Sequence, residues 1–197
     1  VSRELRRKRG QGKHRRGPIT PNRVSIKERP SHIEQRTEVG HWEGDLVVAA
    51  RQDGFILTLV ERSSRLLRVK KIETKRAAQV AQAVIDALLD YPVSWVKSIT
   101  FDNGSEFCDH QAIAKALNVN VYFADPYSAY QRGSNEQVNG LVRRYLPKGT
   151  SFANLNDQQL QNIEQEINDR PRKCLGYQYP NKIFLLQRQQ HLRALRT

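Results

Sequence analysis

Asp45, Asp102 and Glu136 are three acids placed where their side chains could converge on one site. Asp45 interrupts an apolar run, with Gly44 before it and Leu46-Val47-Val48 after it. A charge in so apolar a run demands a reason. Asp102 closes the run Ile99-Thr100-Phe101, at the edge of an α/β sheet where ligands bind. Glu136 falls in the first turn of an expected helix. Carboxylate oxygens are hard ligands, and phosphoryl transfer commonly uses two ions about 4 Å apart clamped by several of them. Each acid also has a structural reading: Asp45 as a satisfied strand-end or bulge acid, Asp102-Asn103-Gly104 as a turn, and Glu136 as an acid favoured by the positive end of a helix dipole. Glu106, Asp109 and Asp125 are further acids nearby, and spacing alone does not exclude them.

The elements that must carry these residues follow from hydrophobic patterning. Gly44 to Ala50, Phe55 to Glu61 and Leu66 to Ile72 are β-prone runs separated by Gln52-Asp53-Gly54 and Ser63-Ser64-Arg65, which predicts an antiparallel meander. Thr74 to Asp90 carries Ala77, Val80, Ala81, Val84 and Leu88 at helical spacing. A strand from Ser98 to Phe101, a helix from Gln111 to Leu117 and a strand from Asn120 to Phe123 complete a βββαβαβ order. Such an order predicts an α/β fold, a mixed sheet covered by helices. Ser134 with Gln137 resembles a capping box, and Val138, Leu141, Val142 and Tyr145 form the stripe of the helix behind it. Glu136 points nearly opposite that stripe, toward a cleft or toward water. Helices from about Asn156 to Asn168 and from Asn181 to Leu195 follow.

The 197 residues carry 33 Lys or Arg against 20 Asp or Glu, a formal charge of +13. The excess sits at the front, where residues 1–40 hold 12 basic against 4 acidic side chains. Arg6, Arg7, Lys8, Arg9, Lys13, Arg15 and Arg16 are interleaved with glycines and almost no apolar residues, so the segment cannot bury itself. It reads as an arm that neutralises phosphates in a sequence-blind, salt-sensitive way. We place the division at Gly40, with a basic, largely extended linker or arm over 1–39 and a catalytic core with C-terminal helices over 40–197. No apolar run approaches the length of a membrane span and no secretion signal is present, so the expectation is a soluble, intracellular protein with no membrane partner. Cys108 and Cys174 stand alone, and the five histidines show no metal-ligand spacing. The chain starts at Val1 and contains no Met, as expected of a piece of a longer protein.

Three strings of residues resemble a known family: Gly40-His41-Trp42-Glu43-Gly44-Asp45, then Phe101-Asp102-Asn103-Gly104-Ser105-Glu106-Phe107, then Gln131-Arg132-Gly133-Ser134-Asn135-Glu136 continuing through Asn139-Gly140-Leu141-Val142-Arg143-Arg144-Tyr145. In order and in spacing, with 33 residues between Asp102 and Glu136, they resemble the IS30 family of bacterial transposases. The resemblance implies a ribonuclease H-like, retroviral-integrase-like core with a mixed five-stranded sheet and flanking helices. It implies that Asp45, Asp102 and Glu136 form a DDE triad holding two Mg²⁺ ions, with Mn²⁺ as substitute, for cleavage at transposon ends and strand transfer into target DNA. Arg143, Arg144 and Lys148 become expected phosphate contacts, double-stranded DNA the partner, a homodimer on DNA the assembly, and the nucleoid of a bacterial cytoplasm the location. Two departures fall outside the triad, at Ala129-Tyr130 and at Cys174.

Trp42 reads as a core aromatic anchoring the strand of Asp45, rather than a platform for a splayed base. No phosphate loop of the NTPase kind occurs. The competing readings are a ribonuclease H-like nuclease that hydrolyses without joining ends, and a non-enzymatic basic nucleic-acid scaffold in which the acids are structural.

Overall fold

A computed structural model describes residues 20–126 and 128–194. Five strands, β1 (His41–Val48), β2 (Phe55–Glu61), β3 (Leu67–Ile72), β4 (Ser98–Phe101) and β5 (Asn120–Phe123), form one sheet in the order β3-β2-β1-β4-β5. The first three are antiparallel neighbours, while β4 and β5 run parallel to β1. This is the βββαβαβ mixed sheet expected from the sequence. β1 begins three residues earlier than its apolar run suggests, because His41 and Trp42 pair with Ser98 and Ile99 of β4.

Helices α1 (Ala77–Leu88), α2 (His110–Leu117), α3 (Gly133–Tyr145), α4 (Asp157–Asn168) and α5 (Pro180–Ala194) cover the sheet. Successive side chains of a strand point to opposite faces, and the sheet divides two cores accordingly. On one face Trp42, Leu57, Leu59, Ile99 and Phe101 pack against α1, α2 and Phe184 of α5. On the other, Val47, Ile56, Val60 and Val69 pack against Val138, Leu141 and Val142 of α3 and Leu160 and Ile167 of α4. The Trp42 indole is fully buried and donates to the Trp95 carbonyl at 3.0 Å, as a core anchor does. α1 and α4 are shorter than their sequence patterns. α4 starts after Asn156, whose side chain accepts from the Gln159 backbone while Gln159 reaches back, a capping box.

The stretch Thr20–Val39 lies against this core. It contains two short 3₁₀ turns, Ile26–Glu28 and Ser31–Gln35, buries Ile26 and Ile33, and bridges Ser25 to Phe123 at the sheet edge. Arg29, expected within an extended arm, is buried and donates to Thr100 Oγ1 at 2.9 Å. Among the described residues no helix is long and apolar enough to cross a membrane.

Candidate active site

The central pair of strands sets the geometry. β1 and β4 run parallel with Glu43 opposite Thr100, so two residues further on Asp45 comes level with Asp102. Gly44 makes this close approach possible: a Cβ there would fall 2.3 Å from the Phe101 ring, which itself stacks on Phe107 at 4.2 Å. Any larger side chain would push β4, and Asp102 at its end, away from Asp45.

The Arg132 guanidinium bridges the two acids. It lies 3.7 Å from Asp45 Oδ1 and 3.4 Å from Asp102 Oδ2, and donates to the Gly44 carbonyl at 3.1 Å. Asp45 also accepts from the Leu46 backbone and from Asn139 Nδ2, each at 2.9 Å. Asp102 folds into a turn, accepting from the Gly104 backbone at 2.9 Å. Burial pushes the Asp45 carboxyl up from its ordinary value, Arg132 pulls it down, and the neighbouring Asp102 charge pushes it up again. A carboxylate in such surroundings favours a cation beside it.

Glu136 is exposed on α3 and lines a cavity of about 220 Å³ together with Asp45, Arg132 and Asn139. A second cavity of about 500 Å³ is lined by Asp102, Asn103, Asp125, Ser128 and again Arg132, among others. The three acids singled out from the sequence thus line two cavities that share one arginine. Arg132 joins Asp45 and Asp102, and Glu136 shares a cavity with Asp45; carboxylate oxygens of this kind are the hard donors that a divalent ion of the Mg²⁺ class takes.

The remaining acids separate. Glu106 folds its carboxylate over Gly104, where a Cβ would come within 2.5 Å of it, and its charge also raises Asp45. Asp125 takes Gln131 Nε2 at 3.2 Å and Lys27 Nζ at 3.6 Å. Asp109 precedes α2 without a side-chain capping bond.

The expected capping box at Ser134 does not form. α3 begins at Gly133, and the Ser134 hydroxyl is buried inside its first turn, accepting from Arg65. The helix start is held instead by Glu43, whose Oε2 accepts from the Asn135 backbone at 2.9 Å. A tertiary carboxylate has replaced the local hydroxyl because α3 packs its N-terminus directly over β1. Glu43 is fully buried and its Oε1 is paired with Arg62 at 2.8 Å; Arg62 reaches on to Glu34 Oε2 at 3.2 Å. Glu43 lies two residues before Asp45 and so on the same sheet face, and one peptide away from Glu136 through Asn135. Sequence reasoning missed Glu43, Arg132 and Asn139 as members of this site. The period-two placement of Glu43 and Asp45 in one strand was the available signal for the first.

Among the basic residues, Arg143 donates to the Val48 carbonyl at 2.8 Å, tying α3 to the end of β1. Arg144 and Lys148 are exposed. Arg6, Arg7, Lys8, Arg9, Lys13, Arg15 and Arg16 lie outside the described residues.

Comparison with known proteins agrees with this architecture. Residues 35–129 match the family model described as integrase core domain, a stretch containing Asp45 and Asp102 and ending before Glu136. The chain is 40% identical over 177 residues to the transposase for insertion sequence element IS4351 of Bacteroides fragilis, covering 90% of this chain and 54% of the relative. It is 40% identical over 163 residues to transposase InsI for insertion sequence element IS30A of Escherichia coli K12, covering 83% of this chain and 42% of the relative. The chain therefore spans about half the length of the curated relatives it matches. Its fold is that of the catalytic core domain of BIV integrase, with a TM-score of 0.60 and 21% identity over 77% of this chain and 97% of that one, a ribonuclease H-like sheet with flanking helices. The chain thus matches an integrase core over residues 35–129 and over most of its length is similar to insertion-sequence transposases, the IS30 type among them.

Proposed function

We propose that this chain is the catalytic part of a DDE transposase, performing metal-dependent DNA cleavage at transposon ends and strand transfer into target DNA. The observation that carries the reading is the bridging of Asp45 and Asp102 by one cation, with Glu136 and Asp45 sharing a cavity. Asp45, Asp102 and Glu136 would hold Mg²⁺, or Mn²⁺ in its place, two ions per site. When bound, these ions supply an activated water or 3′-hydroxyl and neutralise charge on the phosphoryl oxygens.

The chain's own residues orient the donors. Asn139 fixes Asp45 Oδ2, the Gly104 N–H fixes Asp102 Oδ1, and Glu43 fixes the start of the helix that carries Glu136. Arg132 supplies a positive charge that can pass from the carboxylates to an incoming phosphate, since guanidinium serves both anions with the same donor fork. The reading needs no serine or tyrosine nucleophile, because water and the DNA 3′-end supply the attacking oxygen.

Arg6, Arg7, Lys8, Arg9, Lys13, Arg15 and Arg16 of the basic arm, together with exposed Arg144 and Lys148, would contact phosphates of double-stranded DNA and hold register without reading bases. A homodimer pairing two DNA ends, acting at the nucleoid in a bacterial cytoplasm, completes the proposal. The test is the product of incubating the chain with supercoiled plasmid and a labelled 3′-hydroxyl duplex in Mg²⁺. Label joined to plasmid supports strand transfer. Hydrolysis with no joining, by this chain and by a longer chain containing it, would replace the proposal with a nuclease.

A further inference from the structure

His32, Glu38 and His41 look unrelated in sequence, with gaps of six and three residues that match no ligand pattern. The fold joins them. His32 lies in the 3₁₀ turn Ser31–Gln35, Arg36 then adopts a left-handed conformation (φ 56°) that turns the chain back, and His41 opens β1. Among the described residues this is the group whose ligand atoms all lie within 4.8 Å of one another. Glu38 Oε2 is 2.8 Å from His41 Nε2 and 3.5 Å from His32 Nε2. We propose that these three residues form a transition-metal site of the Zn²⁺ class, separate from the carboxylate site, that pins the segment leading from the basic arm to the start of the central strand.

The surroundings of the three donors are those a metal site requires. A ligating histidine is normally oriented through its second ring nitrogen, and His41 Nδ1 lies 2.7 Å from Ser98 Oγ. A serine hydroxyl both donates and accepts, so it serves His41 in either tautomer. At present His41 Nε2 must carry the proton that meets the Glu38 carboxylate; a metal there takes the place of that proton, which moves through solvent to Nδ1 and is received by Ser98. Lys97 Nζ binds Oε1 of Glu38, which leaves Oε2 as the oxygen presented to both rings.

Protonation states agree with this geometry. Burial drives His41 down from its ordinary value, so the ring is neutral and able to ligate near neutral pH. The hydrogen bonds from His41 and Lys97 hold Glu38 down at about 2, so it is ionised. Two imidazoles and one carboxylate are borderline donors that select Zn²⁺, Co²⁺ or Ni²⁺ over Mg²⁺, which prefers oxygen alone. The exposed His32 side leaves a coordination position for water. The Lys97 ammonium lowers the affinity without blocking the donors. His41 precedes Asp45 by four residues along β1, about 13 Å at the rise of a strand, so the two sites are distinct.

Zn²⁺ binding to the whole chain, measured by calorimetry in excess Mg²⁺ that occupies the carboxylate site, tests this. One tight Zn²⁺ per chain is expected, together with the intense visible colour of tetrahedral Co²⁺ when Co²⁺ replaces it. His32→Ala changes an exposed residue and leaves the fold alone; it is expected to weaken Zn²⁺ binding by about 100-fold or more, beyond the range of outer-shell changes. Glu38→Gln is expected to do the same, while Asp102→Asn keeps the site. Zn²⁺ should raise the melting temperature of wild type and not of His32→Ala. Equal Zn²⁺ affinity in wild type and His32→Ala, or loss of the bound ion in Asp102→Asn, would overturn the proposal.

Discussion

Replacing Glu43 by Gln removes one charge from a buried pair while keeping its shape. Glu43 is 0% exposed, and the Arg62 side chain that it meets at 2.8 Å is 1% exposed. The glutamine carbonyl can still accept from the Asn135 N–H, so the start of α3 keeps its bond. Arg62 is left with the Ile33 carbonyl at 3.3 Å and with Glu34, whose side chain is 60% exposed and screened by water. Breaking one partner of a buried ion pair costs about 3–5 kcal/mol. For a chain of this size that lowers the melting temperature by roughly 6–20 °C, at about 2–4 °C per kcal/mol. Thermal and urea unfolding of Glu43→Gln measure the loss. The double variant Glu43→Gln with Arg62→Met removes the stranded charge and should recover at least half of it, since an apolar replacement of a buried pair is often neutral. A shift below about 3 °C in the single variant, or a double variant no better than the single, would refute the reasoning and mean that water reaches Arg62 in solution.

Arg132→Gln removes the cation that competes for Asp45 and Asp102; with each of the two partly exposed contacts worth roughly 0.2–1 kcal/mol, Mn²⁺ affinity of the DNA-free chain should rise about two- to thirtyfold by electron paramagnetic resonance. Gly44→Ala forces a methyl into the Phe101 ring and should cost about 1–3 kcal/mol in urea unfolding, with weakened Mn²⁺ binding because β4 must move. For Glu38 the folded value lies below the ordinary one, so its stabilisation is complete above the ordinary value of 4.5 and is lost as pH falls toward about 2. In EDTA, the stability difference between wild type and Glu38→Gln should therefore stay constant near neutrality and shrink across that window.

Much of the fold was legible because its signals are local. Three of the five strands, β2, β4 and β5, match their predicted limits, and Val138, Leu141 and Val142 of the α3 stripe face the core as the spacing required, while Tyr145 at the helix end is exposed. What escaped depended on tertiary partners. His41 and Trp42 extend β1 only because β4 lies beside them, and Ser134 loses its capping role because Glu43 reaches the helix from another element. Asp45 and Asp102 were legible as interruptions of apolar runs, but their company was not. Arg132 looked like one basic residue among 33, and only the packing of α3 over β1 places its charge between two carboxylates. The histidines were legible singly, whereas their convergence needed the left-handed turn at Arg36.

The central claim is that Asp45, Asp102 and Glu136 act as one metal-holding unit for DNA strand transfer. The most direct measurement is the joining of a labelled 3′-hydroxyl duplex to supercoiled plasmid in Mg²⁺, Mn²⁺ or EDTA, with wild type beside Asp45→Asn, Asp102→Asn and Glu136→Gln and their pairwise combinations. The account predicts joining by wild type in either metal and none in EDTA, loss of joining in each single variant with double variants no worse than singles, and unchanged DNA retention throughout. Wild-type levels of joining in Asp102→Asn, or joining in EDTA, would contradict it.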